Sequence, residues 1–559
     1  MELICVFFMV QKNNIYIYIL ILYYMDVRII RVIQINNDYN SFTHFNNSRY
    51  LSEYSSDIET LNNSTFHNTC IKDNIKSDKY LVNINDEKNK LNKEINNIKN
   101  YENNLYCNHN CEKFNHDTYV NKLFIKDEIY YNEPYFKENI IENVNYVLED
   151  LEEFSPNNNP IYNWKLGIRC LNKYLDLSKR FEIKGVNYDE WNLTYLPLNS
   201  FCNKKERIHK IFETRISYNN VNKKSELKLF IKKIPIDIWL KQFEMMQMYN
   251  GEFIENGENF VMEAIVLSFL NEYYPNICPK FYRLLYEPHY YFNLKSISCF
   301  ENINDINIFN NLLREHLKMN MIGYVVMISE FFGEDLENYI YNIRNKKTYK
   351  FKKNDKKKIM LECLKLINKL HQVGICHLDF SIDNILISKN GDMRLCDFSK
   401  STPKYSYYLR HTKKMKNLCL FESCIPSVGK TRYIPPECWD LVKIYIKENV
   451  DYPFEYLKNM YDDEERKQYY FDVSCVDKYM LGILFIAIWN NGYLWYKSDP
   501  LQDKDYLKYS KSNMNFNKFW TTFFWPKELK IILRQLLDLE CRKNLNLNDL
   551  ISHPWFSKK

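Results

Sequence analysis

Three side chains able to handle a proton and a divalent metal lie close together in the second half of this 559-residue chain. Asp379 and Asn384 fall in His377-Leu378-Asp379-Phe380-Ser381-Ile382-Asp383-Asn384, and thirteen residues further on comes Asp397-Phe398-Ser399. Such a set suits transfer of a phosphoryl group from ATP. That reaction needs a carboxylate to orient the attacking hydroxyl and accept its proton, which Asp379 supplies. It also needs oxygen ligands to hold Mg²⁺ against the phosphates, which Asn384 and Asp397 supply. Between them, Ile385-Leu386-Ile387 and Arg394-Leu395-Cys396 read as two short strands joined at Asn390-Gly391-Asp392. A hairpin there would hold the 379–384 loop close to Asp397.

The elements that must position this set are legible on both sides of it. Upstream, Leu227-Lys228-Leu229-Phe230-Ile231-Lys232-Lys233-Ile234 reads as a strand, and it is followed by the run Phe260-Val261-Met262-Glu263-Ala264-Ile265-Val266-Leu267. Tyr324 to Phe332 looks like a buried strand. Downstream come Gly429-Lys430-Thr431-Arg432-Tyr433-Ile434-Pro435-Pro436-Glu437, then Asp477-Lys478-Tyr479-Met480-Leu481-Gly482, Arg542, and His553-Pro554-Trp555-Phe556.

In this order the motifs from Phe230 to Phe556 resemble the eukaryotic protein kinase fold. The tetrad Phe230-Ile231-Lys232-Lys233 is similar to the one that marks the FIKK kinases of malaria parasites. The resemblance implies an α+β, two-lobed protein kinase-like fold: a small β-rich N-lobe and a larger helical C-lobe, preceded by an Asn-rich leader. It implies that a lysine of the strand grips the ATP phosphates and that Glu263 fixes that lysine. Because side chains alternate across a strand, only one of Lys232 and Lys233 can face the nucleotide, and alignment of the tetrad allows either. The resemblance also implies that backbone groups from Glu330 to Phe332 bond the adenine, with Ser329 at the gate of its pocket. The cofactors expected are ATP and Mg²⁺, with Mn²⁺ as an alternative ion. Glu437 is expected to pair with Arg542, and Asp477 to anchor the catalytic loop. All of the downstream motifs are read as fold-stabilising.

Several departures bear on activity. The chain has 11 glycines and none between Gly185 and Gly251, so no Gly-x-Gly-x-x-Gly loop can cover the phosphates ahead of the lysine strand. Leu378 stands where an arginine usually precedes the catalytic aspartate, so no phosphate is needed on the segment from Asp397 to Glu437 to neutralise a buried positive charge. Constitutive activity follows as an expectation. Ser381 replaces the lysine that usually meets the γ-phosphate, and Ser399 replaces a glycine. Glu437 and Asp477 are 40 residues apart, and the insertion carries Tyr461-Asp462-Asp463-Glu464-Glu465. This is either an acidic patch favouring basic targets or a solvated surface loop.

Composition sets the domain boundaries. A formal charge of +6 gives no case for nucleic acid. From about Asn36 the chain is rich in Asn, Asp, Glu and Lys, which predicts a mostly disordered leader over 36–155. The apolar run Ile15 to Met25 is shorter than the roughly 20 residues of a bilayer span, and 1–35 reads as a signal sequence or signal anchor. No stable membrane span is expected after processing. Residues 156–225 form an N-terminal extension with the first strands of the kinase region, and 226–559 the catalytic domain. Sixteen scattered cysteines, with no paired framework, fit a reducing compartment. Arg49-Tyr50-Leu51-Ser52-Glu53 (49–53) resembles the pentapeptide of proteins exported into the host red cell, and the family resemblance implies cutting after Leu51. The implied destination is the erythrocyte cytosol or membrane skeleton, and the implied partners are protein substrates there. Two function classes follow: a serine/threonine protein kinase, or a kinase-shaped scaffold that binds host-cell partners and transfers phosphate poorly.

Overall fold

The computed structural model describes residues 4–12, 15–24, 27–35, 160–196, 208–220, 223–288, 303–319, 322–345, 351–412 and 414–557. The expected leader at 36–155 and the pentapeptide at 49–53 lie outside them. Strands β1 (Ile4–Lys12), β2 (Ile15–Tyr24) and β3 (Val27–Ile35) form an antiparallel meander. They belong to a compact unit, Met1–Lys76, separate from the unit Ser77–Lys559. The expected signal run, Ile15 to Met25, coincides with the central strand β2.

Among the described residues, the second unit opens on helix α1 (Trp164–Asn172), whose start is set by Asn163. Its side chain accepts the Leu166 N–H at 3.0 Å. A sheet follows, made of β4 (Leu175–Leu177), β5 (Thr194–Tyr195), β6 (Lys210–Asn220), β7 (Lys223–Pro235), β8 (Phe281–Pro288) and β9 (Gly323–Glu330). In space the order is β4-β8-β9-β7-β6-β5, with β4 added parallel to β8 and the other pairs antiparallel. The period-2 alternation of β7 sends Leu229 and Ile231 to a small outer core with Phe181, Tyr188 and Trp191 of the extension. Its other face carries Ile234 into the main core.

That main core is built on helices α2 (Ile236–Met248) and α3 (Phe260–Tyr273). Every residue of α3 from Phe260 to Leu270 is buried. It is a helix without a solvent face, which only enclosure on all sides makes stable. One of its walls is α1: a Cβ at Gly167 would collide with Ile265 Cγ2, so glycine permits this approach. The extension also reaches the other lobe, where the Tyr162 N–H donates to the Val373 carbonyl at 2.8 Å.

Helix α4 (Ile306–Lys318) packs against α2, where Trp239 Nε1 donates to Asn310 Oδ1 at 2.9 Å, and the C-lobe follows with α5 (Lys353–Gln372), α6 (Pro436–Lys447), α7 (Pro453–Lys458), α8 (Asp463–Lys467), α9 (Val473–Asn490) and α10 (Lys527–Leu537). Helix α9 is long and apolar enough to cross a membrane by composition, yet 94% of it is buried inside the fold, as expected for a core helix. Arg542, fully buried, pairs with Glu437 and donates to the Leu537 carbonyl at 2.8 Å.

The 437–477 insertion is not simply a solvated loop. Tyr461 is exposed, but Arg466 is buried and donates to the carbonyls of Arg410 (3.2 Å), His411 (3.2 Å), Met460 (3.3 Å) and Leu457. It thereby ties the insertion to a hairpin of β12 (Tyr405–Leu409) and β13 (Lys414–Leu420), where β10 (Ile385–Ile387) and β11 (Met393–Leu395) are the earlier pair. On the N-lobe side, Arg410 of that hairpin pairs with Glu252, which also accepts the Ser406 hydroxyl at 3.0 Å. Phe454 of the insertion stacks on Tyr249 at 5.3 Å.

Candidate functional site

The catalytic-loop residues are placed by Asp477. Its carboxylate, fully buried on α9, accepts the backbone N–H of His377 (2.7 Å) and of Leu378 (2.8 Å) and shares a 2.8 Å hydrogen bond with His371 Nε2. These bonds hold Leu378 at φ 57°, a left-handed conformation that costs a non-glycine residue about 1–3 kcal/mol. The strain turns the chain so that the Leu378 side chain enters the core and Asp379 faces the cleft. Burial of the imidazole keeps His371 below its usual value although Asp477 pulls the other way.

Asp379 and Asn384 meet directly. Asn384 Nδ2 donates to the Asp379 carbonyl at 2.8 Å and to Asp379 Oδ2 at 2.9 Å. Asp379 Oδ1 is buried with no hydrogen-bond partner, an orphan oxygen of the kind that awaits a donor from outside the chain. Burial, together with Asp397 and Asp383, pushes Asp379 up to about 7 against the pull of Lys430. The β10–β11 hairpin closes the loop onto Asp397, for the Cys396 N–H donates to the Asn384 carbonyl at 3.0 Å. Asp397 also takes a left-handed backbone, φ 60°. Its Oδ1 accepts the Ser399 hydroxyl at 2.6 Å. Burial opposes its charge, but Lys232 and that hydroxyl hold it below the usual carboxylate value.

On the opposite wall, Lys232 Nζ lies 2.7 and 3.0 Å from the two oxygens of Glu263, with both residues buried. Burial works against the ammonium, and Glu263, Asp397 and Glu258 overcome it, so Lys232 stays above its ordinary value. Lys233, one residue on and therefore on the outer face, pairs with Glu287 at 2.6 Å. Asn259 caps α3 by accepting the Met262 N–H at 2.8 Å, while its own N–H donates to the Ser399 carbonyl at 3.0 Å. The helix carrying Glu263 is thus locked to the residue two past Asp397.

Ser329, Glu330 and Phe332 lie where β9 leaves the sheet for the C-lobe. The Glu330 carboxylate receives Arg394 Nη1 at 2.9 Å and the Lys280 N–H at 3.1 Å, and the Phe331 N–H is spent on the Lys228 carbonyl at 3.1 Å. Among the described residues no hydrogen bond engages the Phe332 backbone. The connection from β5 to β6, where a glycine loop would stand, runs through 197–207, outside the described residues.

The donor set therefore fits nucleotide and metal. Asp397 offers a carboxylate held in its charged form. The Asn384 amide, committed through its nitrogen to Asp379, has its oxygen left for a cation. Two further lysines enter the site that sequence reasoning did not assign to it. Lys400, whose burial lowers it to about 8, is bound to the Glu255 carbonyl (2.6 Å) and the Ser427 carbonyl (3.1 Å). Lys430 reaches Ser381 Oγ at 3.2 Å and pairs with Asp383. The signal for Lys430 was present in the run Gly429 to Glu437, read only as fold-stabilising.

Residues 296–451 match the family model for the protein kinase domain. Among known proteins, the chain is 24% identical over 282 residues to the serine/threonine-protein kinase par-4 of Caenorhabditis briggsae, covering 50% of this chain and 36% of that protein. It is 24% identical over 210 residues to CBL-interacting protein kinase 5 of Oryza sativa subsp. japonica, covering 37% of this chain and 36% of that one. A third similarity, 25% over 208 residues, is to the serine/threonine-protein kinase PTK2 of Candida glabrata, with 33% and 24% covered. The chain spans only about a third or less of the length of these curated relatives. With a β-rich N-lobe, a helical C-lobe and the site between them, the described residues carry a protein kinase domain.

Proposed function

We propose that this domain transfers the γ-phosphoryl group of ATP to serine or threonine hydroxyls of proteins. The observation that carries the reading is the juxtaposition of Asp379, with its orphan Oδ1, and Asn384 and Asp397 in one loop pair, facing a buried Lys232–Glu263 ion pair. Asp379 orients the incoming hydroxyl and takes its proton; Asn384 and Asp397 hold Mg²⁺; Lys232, fixed by Glu263, binds the phosphates; the Phe332 backbone meets the adenine edge. Bound ATP with Mg²⁺ supplies the transferable group and neutralises its charge. Lys233 has no part in this assignment, because its ammonium is engaged on the outer face.

The activation hairpin at 405–420 is held by the Glu252–Arg410 pair and by Arg466, and Leu378 has no charge to neutralise. Activity without phosphorylation of that segment is the corresponding expectation. The finer reading, a FIKK-type kinase exported into the host erythrocyte and acting on red-cell or exported proteins, is supported by Phe230-Ile231-Lys232-Lys233 and by the pentapeptide at 49–53. N-terminal sequencing of the chain recovered from infected red cells tests export processing: Ser52 as first residue supports it, and retention of Arg49 refutes it.

The activity test is phosphate transfer from Mg²⁺-ATP by the full chain onto basic and acidic peptide pools, beside Asp397→Ala. Transfer that needs Asp397 supports the kinase reading. Equal, negligible transfer by both proteins supports the scaffold, which the absence of glycine between Gly185 and Gly251 favours.

A further inference from the structure

The catalytic loop from His377 to Asn384 carries no lysine or arginine and brings two carboxylates, Asp379 and Asp383, to a cleft that already holds Asp397. A phosphoryl group in transfer spreads negative charge over its outer oxygens; Mg²⁺ held by Asn384 and Asp397 would answer part of it, and Asp379 and Asp383 repel it unless a fixed cation stands beside them. Lys232, fixed by Glu263 on the N-lobe wall, is already assigned to the ATP phosphates, and Lys400 is bound by the carbonyls of Glu255 and Ser427 and lies 3.4 Å from Ser427 Oγ.

Lys430 is differently placed. Gly429 at φ 55°, where a Cβ would meet Met480 Cε at 2.5 Å, turns the chain so that residue 430 overhangs the catalytic loop. Its ammonium lies 3.2 Å from Ser381 Oγ, and that hydroxyl donates to Asp383 Oδ1 at 2.7 Å. The Asp383 side chain that pairs with Lys430 is half-buried, with 39% of it exposed, and Lys430 itself is exposed. Solvent screens such a pair, so it holds its partners weakly. A more highly charged phosphate arriving beside Asp379 can therefore draw the ammonium from Asp383, within the reach of its four-carbon stem.

We propose that Lys430, reaching in from the segment ahead of α6, is the cation that contacts the transferring phosphoryl group, and that Ser381 and Asp383 hold it ready beside Asp379. The cation that the catalytic loop lacks at Ser381 is thereby supplied from the facing segment by Lys430. This rests on the kinase reading above. In the step itself, the substrate hydroxyl oxygen bonds to the γ-phosphorus as the bond from that phosphorus to the β–γ bridging oxygen breaks. The hydroxyl proton goes to Asp379, and the electron pair of the broken bond leaves with ADP. Lys430 donates an N–H to a non-bridging oxygen of the group and keeps its own protons.

The test compares the full chain with Lys430→Met, Lys430→Arg, Lys430→Thr and the exchange Ser381→Lys/Lys430→Thr, measuring kcat, KM for ATP and thermal melting. The expected result is a loss of about 10²-fold in kcat for Lys430→Met, the scale seen when one charge-stabilising donor is removed. KM for ATP and melting stay near wild type, because the variant loses an interaction made in the transition state. Lys430→Arg recovers most of the rate, and the exchange outperforms Lys430→Thr. Wild-type kcat in Lys430→Met, or an exchange no better than Lys430→Thr, overturns the assignment. No transfer by the wild-type chain overturns the kinase reading, and this one with it.

Discussion

Replacing Asp477 with asparagine separates the geometry of the catalytic loop from the nucleotide site. The wild-type carboxylate accepts three hydrogen bonds between 2.7 and 2.8 Å, two of them from the loop backbone. An asparagine has one accepting oxygen, so its amide nitrogen must face an N–H donor. At least one charge-assisted bond, worth about 1.5–3 kcal/mol, is lost. The left-handed Leu378, with its strain of about 1–3 kcal/mol, is then no longer held. The variant should lose at most about 1.5–3 kcal/mol of stability in urea unfolding, because strain released as the loop relaxes returns part of the lost bond. Only the strain acts on the loop itself. At about 1.4 kcal/mol per tenfold, it should cut kcat by about 10- to 10²-fold. The Mg²⁺-ATP-induced rise in melting temperature should persist, because Lys232, Glu263 and Asp397 are untouched. A normally folded Asp477→Asn with kcat within about threefold of wild type, under half the tenfold step, would show that Asp477 does not position the loop.

Lys232→Met strands Glu263 as a buried charge, costing about 3–5 kcal/mol, and should abolish the Mg²⁺-ATP thermal shift; Lys233→Met, which breaks only the outer pair with Glu287, should retain it. Phosphatase treatment of the wild-type chain should leave its activity unchanged, while Arg410→Met, which strands the half-buried Glu252, should make the 405–420 hairpin sensitive to limited proteolysis. A strong loss of wild-type activity on phosphatase treatment would contradict a hairpin held without phosphate. His371, faced by Asp477, Lys404 and Lys478, is held below its usual value by burial, so the unfolded chain binds a proton that the folded chain resists. Its contribution should be constant above about pH 6.5 and decline as pH falls below it, where free histidine titrates. The stability difference between wild type and His371→Gln in urea melts at pH 7.5 and 5.5 should therefore shift against wild type at the lower pH.

Much of the chemistry was legible in the sequence because it is local. Asp379 and Asn384 share one short loop, the turn at Asn390-Gly391-Asp392 returns the chain to Asp397, and β7 and α3 stand where the kinase order of motifs expects them. Spacing alone left Lys232 and Lys233 as alternatives, because alternation says that the two differ but not which face is inward. The neighbours decided that: α3 covers the face carrying Lys232 and Ile234, whereas Phe181, Tyr188 and Trp191 of the extension cover the other.

Contacts between distant segments were not legible at all. Arg466 satisfying the carbonyls of 410 and 411, Glu252 meeting Arg410, and α1 closing on α3 through Gly167 join residues far apart in the chain, with no periodicity to announce them. The acidic stretch 461–465 looked like free surface because its charges are what a sequence displays, while the buried arginine that anchors it is one residue further on. Amino-acid order determined which reactive groups are present and which lie within a turn of each other. Only the tertiary structure decided which lysines face the carboxylates, since a lysine's long stem and mobile charge take their direction from whatever acceptors the fold packs around them.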